Sequence, residues 1–489
     1  MGDSTRLVQA LKPFCEKLRS VVESGSEIAI ITHLDADGIT SGSIISLALA
    51  RMGARCSVRT VSDMNPSVIE KMKSDGHDFY VITDLGGGMA ANFRKALGDR
   101  WVVIDHHQIP EEEILTDDAG QVLNAWKFGI DGGTEISAGG MAYMVASALD
   151  RKNRDLSCIA IVSAVGDRQD QGDKKSFLGV NREILEVAKS AGLVKVDLDI
   201  MLTGRETRPL HEALAFTSFP YIDGLTWNRD NCHAVLKNAG IKLKDNGRWR
   251  VPAEFSQEEK SAILEAIAKF VVTSSKTSAS VIDDLIGNVY TLTGEDKRSQ
   301  LRDAREFATL LNACGRIGKS GVGVAICMGD RNAMLTAGEE INAEYRTTLR
   351  TYISTIFSEK WRVSSSDDSG GGRVAIVNGD GLVAEDMLGA VSSLLSGSPT
   401  LAGRLLFVRT LAQDGSYRFS SRKALGCTSN ANLGLIMRHC AEQNGGTGGG
   451  HAAAAGCRIP SHSIDSFLAC LRSAINDEKF ATTAAATPT

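Results

Sequence analysis

Trp101-Val102-Val103-Ile104-Asp105-His106-His107 sets four apolar residues directly before a carboxylate and two imidazoles. The arrangement recurs in the first third of the chain. Ile28-Ala29-Ile30-Ile31 runs into His33-Leu34-Asp35-Ala36-Asp37-Gly38, Val81-Ile82-Thr83 into Asp84, and Ile161-Val162-Ser163-Ala164-Val165-Gly166 into Asp167. Short apolar runs at 27–32, 56–61, 79–84 and 101–104 read as strands. Helical spacing fills 39–52, 66–74, 88–97, 134–150, 155–165 and 176–190. Such alternation specifies a parallel α/β sheet with helices on both faces. In an open parallel sheet the C-terminal strand ends converge on one crevice, where ligands bind. The sequence therefore predicts carboxylates and imidazoles gathered at one sheet edge.

One aspartate at a strand end is commonly only a helix cap or turn residue. Four such sites in one domain point instead to divalent metal ions. His33, Asp35 and Asp37 alternate, so on an extended backbone they face one side. Asp84, from another strand, can offer one oxygen to each of two ions, and His106 and Asp167 complete the second site. Two ions about 3.5–4 Å apart support in-line displacement at phosphorus. Imidazole among carboxylates favours Mn2+, with Mg2+ as the second choice. Asp105 is expected to orient a histidine from behind the ligands. His107 is then left for the substrate phosphate or leaving oxygen, so Asp84, Asp105 and His107 are the expected catalytic residues.

At 489 residues the chain exceeds one ordinary core, so two or three domains are expected. Its 43% hydrophobic and 23% charged residues describe a globular protein rather than a disordered one. No run approaches the ~18 apolar residues of a membrane span, and residues 1–20 lack a signal-peptide core. The ten cysteines stand singly, without a C-x-x-C pair or a tight disulfide framework, which suits a reducing cytoplasm. A cytoplasmic location and no membrane partner are expected. The net charge of −5 argues against a generic nucleic-acid coating protein, though a local basic groove beside an acidic metal site is compatible with it.

Residues 1–200 read as the catalytic domain and 201–365 as a largely helical connecting region. The latter has helical spacing at 256–274, 299–313 and 318–329, and a long helix over 331–358 with Ile341, Tyr345, Leu349 and Tyr352 on one stripe. Residues 366–476 read as a smaller α/β domain, with strands at 374–378, 403–410 and 415–420. The tail 477–489 reads as disordered. Within the second domain, Gly445-Gly446-Thr447-Gly448-Gly449-Gly450-His451 reads as a loop whose glycines let backbone amides approach phosphate. Arg418-Phe419-Ser420-Ser421-Arg422-Lys423 alternates basic and small polar residues on a strand. Arg298, Arg302, Arg305, Arg316 and Lys319 form a basic stripe in the middle region, some of them expected to pair with Asp303 and Glu306 on the same helix.

The set His33-x-Asp35-x-Asp37, Asp84, Asp105-His106-His107 and Asp167 resembles the four motifs of the DHH phosphoesterase superfamily. That superfamily includes RecJ exonucleases, nanoRNase-type oligoribonucleases, cyclic-dinucleotide phosphodiesterases and family II pyrophosphatases. The resemblance implies a DHH domain followed by a DHH-associated domain, and hydrolysis with two metal ions, usually manganese. The glycine segment resembles the GGGH loop of the DHH-associated domain, which implies that Gly448, Gly449, Gly450 and His451 bind substrate, together with Ser421 and Arg422 of the serine-arginine strand. Asn312, Gly315 and Arg316 resemble the asparagine-glycine-arginine segment of RecJ proteins, which implies substrate contacts from Asn312 and Arg316. The whole order looks most like archaeal RecJ-like single-strand-specific exonucleases, some of which associate with the GINS complex of the replisome. A metal-dependent exonuclease acting on single-stranded DNA or RNA from a free end, in replication or repair, is therefore expected. The alternative is a phosphodiesterase for short oligonucleotides or cyclic dinucleotides. A third reading, a non-enzymatic replisome adaptor, is disfavoured because a scaffold has no need of clustered, mutually repelling carboxylates.

Overall fold

The computed structural model describes residues 4–114, 120–275, 281–366 and 374–481. The chain divides into two compact units, Met1–Ala343 and Glu344–Thr489. The segment expected as catalytic domain and residues 201–343 of the expected connecting region thus lie in the first unit, residues 344–365 belong to the second, and the boundary falls within the helix Ala333–Ser358.

The first unit is built on five strands: β1 Glu27–His33, β2 Arg55–Val61, β3 Phe79–Thr83, β4 Trp101–Asp105 and β5 Val122–Asn124. Their order is β2-β1-β3-β4-β5, all parallel, with Thr32 beside Thr83 and Asp105 beside Asn124. β3 and β4 are buried along their whole length. That is the reason their sequences are unbroken apolar runs: a parallel sheet covered on both faces has no solvent side to alternate with. The expected α/β class and the parallel sheet are therefore what this unit contains. A helix over Ser4–Glu23, which sequence reading did not anticipate, precedes β1.

The middle of the chain is not purely helical. β6 Val194–Ile200 pairs antiparallel with β9 Ile286–Leu292, and β7 Lys244–Asp245 with β8 Arg248–Trp249 forms a small hairpin. Between β6 and β9 the chain has its own core, including Leu210, Leu214, Leu225, Leu236, Ile263 and Ile267. Helices Ala304–Arg316 and Ser320–Cys327 then return to pack on the helices Ala36–Arg51 and Ser157–Gly166 of the sheet. Of the expected stripe, Ile341, Tyr345 and Leu349 are buried and Tyr352 is half-buried.

The second unit holds β10 Val363–Ser366, β11 Val374–Asn378, β12 Leu405–Leu411, β13 Ser416–Lys423, β14 Thr447–Gly450 and β15 Ala454–Pro460. Their order is β10-β11-β12-β13-β15-β14, with β11–β12 the parallel pair. The glycine run expected as a loop is therefore largely an edge strand. Close packing explains its composition: a Cβ on Gly448 would lie 2.7 Å from both Cys457 Cβ and the Met437 carbonyl oxygen. The singly spaced cysteines also conceal one bond, Cys440–Cys470, between helices Leu433–Gln443 and Ile464–Ala474. Of the tail set apart at 477–489, Phe480 is buried in this unit's core, and residues 482–489 lie outside the described residues. Among the described residues no helix is long and apolar enough to cross a membrane.

Candidate metal centre

His33 ends β1, after which the backbone turns at once into the helix Ala36–Arg51. Asp35 is that helix's N-cap, accepting from the Gly38 N–H at 3.0 Å, and Asp37 lies in its first turn. The three side chains are brought together by this turn rather than by extended alternation. The turn is tight enough that a Cβ on Gly38 would lie 2.2 Å from the His33 carbonyl oxygen. Asp84 follows β3 with φ 62, a left-handed conformation that Asp tolerates better than most residues. Asp105 closes β4, and His106 and His107 follow it. Asp167 does not end a strand: its apolar run is the helix Ser157–Gly166, and Asp167 is the C-cap.

These residues form two clusters able to hold a metal ion, His33/Asp35/Asp84 and Asp37/His106/Asp167, within reach of a third set, Asp84/Asp105/His106/His107. Asp84 joins them. Its Oδ2 lies 3.6 Å from His33 Nδ1, while its Oδ1 lies 3.3 Å from His106 Nε2. Asp84 Oδ2 is buried with no hydrogen-bond partner among the described residues. A buried carboxylate oxygen left unsatisfied between histidines and other carboxylates is what a divalent cation would satisfy.

The ligands are held from behind. His106 Nδ1 lies 2.6 Å from the Gly132 carbonyl oxygen, which fixes the proton there and turns Nε2 toward Asp84 and, at 3.4 Å, toward Asp37. Asp37 accepts from the N–H groups of Ala138 and Gly139, both at 2.9 Å, and from the Ser163 hydroxyl. Asp105 Oδ1 lies 2.9 Å from His107 Nδ1 and also accepts from the His106 N–H, while Oδ2 accepts from the Gly87 N–H. Gln169, fully buried, donates to Asp167 Oδ2 at 2.7 Å and to the Gly132 carbonyl at 2.8 Å, and its own oxygen accepts from Asn181. Neither Gln169 nor Ser163 was singled out in the sequence, because neither type marks a site on its own.

Electrostatics agree with the donor set. Burial, reinforced by the charge of Asp84, pushes the Asp37 carboxyl well up, and burial also raises Asp167 against the opposing pull of His106. Burial alone would lower His33 and His106, but the surrounding aspartates raise both. His107 is pushed up to about 9, its partial burial outweighed by Asp105. Carboxylates and imidazoles that hold protons this strongly are crowded with negative charge, and divalent cations relieve it.

Asn312 and Arg316 both belong to the helix Ala304–Arg316. Asn312, expected at the substrate, spends its carboxamide oxygen on the Ala36 N–H at 3.0 Å, inside the metal loop. The charge of Arg316 helps to lower Asp35, after the opposing burial and the larger effect of His33. The other arginines of the stripe pair away from Asp303 and Glu306: Arg305 with Asp170, and Arg298 with Glu254 at 2.7 Å. In the second unit Ser421 is fully buried and donates to the Ala455 carbonyl, so its hydroxyl faces the sheet interior. Arg422 donates to the Ser421 carbonyl and to Ser393 Oγ, and His451 is exposed in the turn between β14 and β15.

Three family models match the chain: the N-terminal domain of the DHH family over residues 27–166, the DHH-CID domain over 202–286 and the DHHA1 domain over 371–477. An uncharacterised protein of Methanocaldococcus jannaschii is 26% identical over 448 residues, 90% of this chain and 91% of that protein. Among solved structures, CDC45 from Entamoeba histolytica matches with TM-score 0.61 and 14% identity, over 96% of this chain and 99% of that one. RecJ from Thermus thermophilus in complex with Mn2+ matches with TM-score 0.56 and 15% identity, over 95% of this chain. The chain spans only 54% of that RecJ. A manganese-bound exonuclease RecJ matches with TM-score 0.54 and 16% identity, over 96% of this chain and 94% of that one. At these identities the structures show a shared fold.

Proposed function

Starting from a chain of the DHH superfamily, with DHH, DHH-CID and DHHA1 domains, we propose a metal-dependent exonuclease that hydrolyses single-stranded DNA or RNA from a free end. The observation that carries this reading is the pair of ligand clusters, His33/Asp35/Asp84 and Asp37/His106/Asp167, with Asp84 Oδ1 3.3 Å from His106 Nε2 linking them. His33, Asp35 and Asp84 would hold one ion, and Asp37, Asp84, His106 and Asp167 the other, with Mn2+ preferred and Mg2+ accepted. When bound, such ions polarise the phosphoryl oxygens and activate water. Asp105 orients His107, whose exposed imidazolium contacts the substrate phosphate. Arg316, Arg422 and the 448–451 segment are assigned to the strand's phosphates. A place in DNA replication or repair, with GINS as the partner, is part of this proposal and rests on the resemblance of the motif order to archaeal RecJ-like exonucleases. The complete ligand set favours an enzyme over a non-enzymatic replisome adaptor.

The test uses end-labelled linear single strands, the same sequence as a closed circle, and blunt duplex, each with Mn2+ or Mg2+. The linear strand should be consumed while circle and duplex survive. Rapid cutting of the circle would overturn the exonuclease reading. Activity confined to oligomers of a few nucleotides would move the assignment to a short-oligonucleotide phosphodiesterase.

A further inference from the structure

A cavity of about 370 Å3 opens beside the metal cluster, at the C-terminal ends of β2, β3 and β4. One wall is the centre itself, through His33, Asp84 and His107. The other comes from the segments after those strands and carries Met64, Met89 and Ile109. Gly86, Gly87 and Gly88 line it with backbone alone. Asp63, whose Oδ1 accepts from Asn65 Nδ2 at 2.9 Å, and Gln108 supply polar groups. The described residues lining the cavity include no lysine and no arginine.

That composition decides what the cavity can take. Against the wall away from the metal centre a second phosphate, as in pyrophosphate or polyphosphate, would meet no lysine or arginine and would face Asp63. A flat, neutral ring with hydrogen-bonding edges meets no such obstacle. The unbranched thioethers of Met64 and Met89 adapt to ring faces and make favourable sulfur–aromatic contacts. A strip of glycines lets a ring approach the backbone closely. The volume falls within the range of about 300–1,000 Å3 typical of small-molecule sites.

We propose that this cavity receives the nucleoside joined to the scissile phosphate, with its base against Met64, Met89 and Ile109. This rests on the phosphodiesterase reading and deepens it: the nucleoside is preferred over a further phosphate by a wall, away from the metal centre, that carries no lysine or arginine. Discrimination comes from the β2, β3 and β4 loops of the first unit alone.

The test labels the methionine methyl groups of the full chain with 13C, with Met64→Leu and Met89→Leu used to assign two signals. With Mg2+ present, adenosine 5′-monophosphate should move both signals, whereas ribose 5-phosphate and pyrophosphate should leave them in place. Equal movement with all three ligands, or no movement with the nucleotide, overturns the proposal. Hydrolysis of an unmodified dinucleotide, assayed in parallel, separates the two readings. Cleavage with unmoved methionines sinks the base subsite alone. Moved methionines without cleavage upholds the subsite and sinks the enzyme reading.

Discussion

His106 Nε2 stands 3.3 Å from Asp84 Oδ1 on a ring whose other nitrogen is fixed by the Gly132 carbonyl, so one defined nitrogen faces the shared carboxylate. Asp84→Asn keeps the side-chain size and tolerates the left-handed backbone while removing the negative charge. Hydrolysis should fall by roughly 100-fold or more in saturating Mn2+, since a ligand to both ions is weakened at once. Thermal stability in chelator should be unchanged or higher, because one of several mutually repelling charges is gone. A variant keeping more than about a tenth of the activity would show that Asp84 is not the bridge.

Gln169 touches two ligand positions through one carboxamide: it holds Asp167 and the carbonyl that fixes His106. Gln169→Ala should raise the Mn2+ concentration needed for half-maximal activity by about 10–100-fold, the usual cost of losing a partner behind the ligands. Maximal rate at saturating metal should fall less. A metal titration of the variant checks this, and an unchanged titration curve would mean that Asp167 is placed without Gln169.

Gly315→Ala tests the contact between the helix Ala304–Arg316 and the metal loop. Inside most helices this change stabilises by roughly 1 kcal/mol. Here a Cβ would lie 1.7 Å from the Leu34 carbonyl oxygen, so the helix must move away from the loop. The expected sign is therefore reversed: lower stability to urea and a higher Mn2+ concentration for half-maximal activity. Urea unfolding and Mn2+ titration of the variant measure both.

Glu306 gives the clearest pH signature away from the metals. Burial, then the charge of Asp303, pushes it up to about 7, against the N–H of Glu206 and the hydroxyl of Thr207 that it accepts. Because the folded state holds this proton more tightly, the stabilisation is full below the unfolded value near 4.5 and is lost as pH rises through about 7. The loss is on the order of 3 kcal/mol. Glu306→Gln should flatten the stability profile between pH 5 and 8, read by urea unfolding at each pH. A variant with the wild-type slope would assign the proton elsewhere.

The parallel sheet was readable because β1, β3 and β4 are buried on both faces and so spell themselves as apolar runs bounded by polar ligands. The segment before Asp167 was legible too: its spacing at 155–165 reads as a helix, Ser157–Gly166 is one, and Asp167 joins the strand-end ligands from that helix's C-terminus. The edge strand β14 was hidden because glycine signals turns, although here it answers to the nearness of Met437 and Cys457. Long-range dependence hid the rest. Nothing near Gln169 or Asn312 in sequence announces that one carboxamide steadies Asp167 and the other meets an N–H 276 residues away.

A fragment ending at residue 200 would keep His33, Asp35, Asp37, Asp84, His106 and Asp167, yet it would lose Asn312 from the Ala36 N–H, Gly315 from beneath Leu34 and β9 from the side of β6. The ligands are inherited from one stretch of chain and their geometry from another. Grafting the motifs into a foreign host would therefore transplant the chemistry's alphabet without its spelling, and the centre is the property of the first unit as a whole.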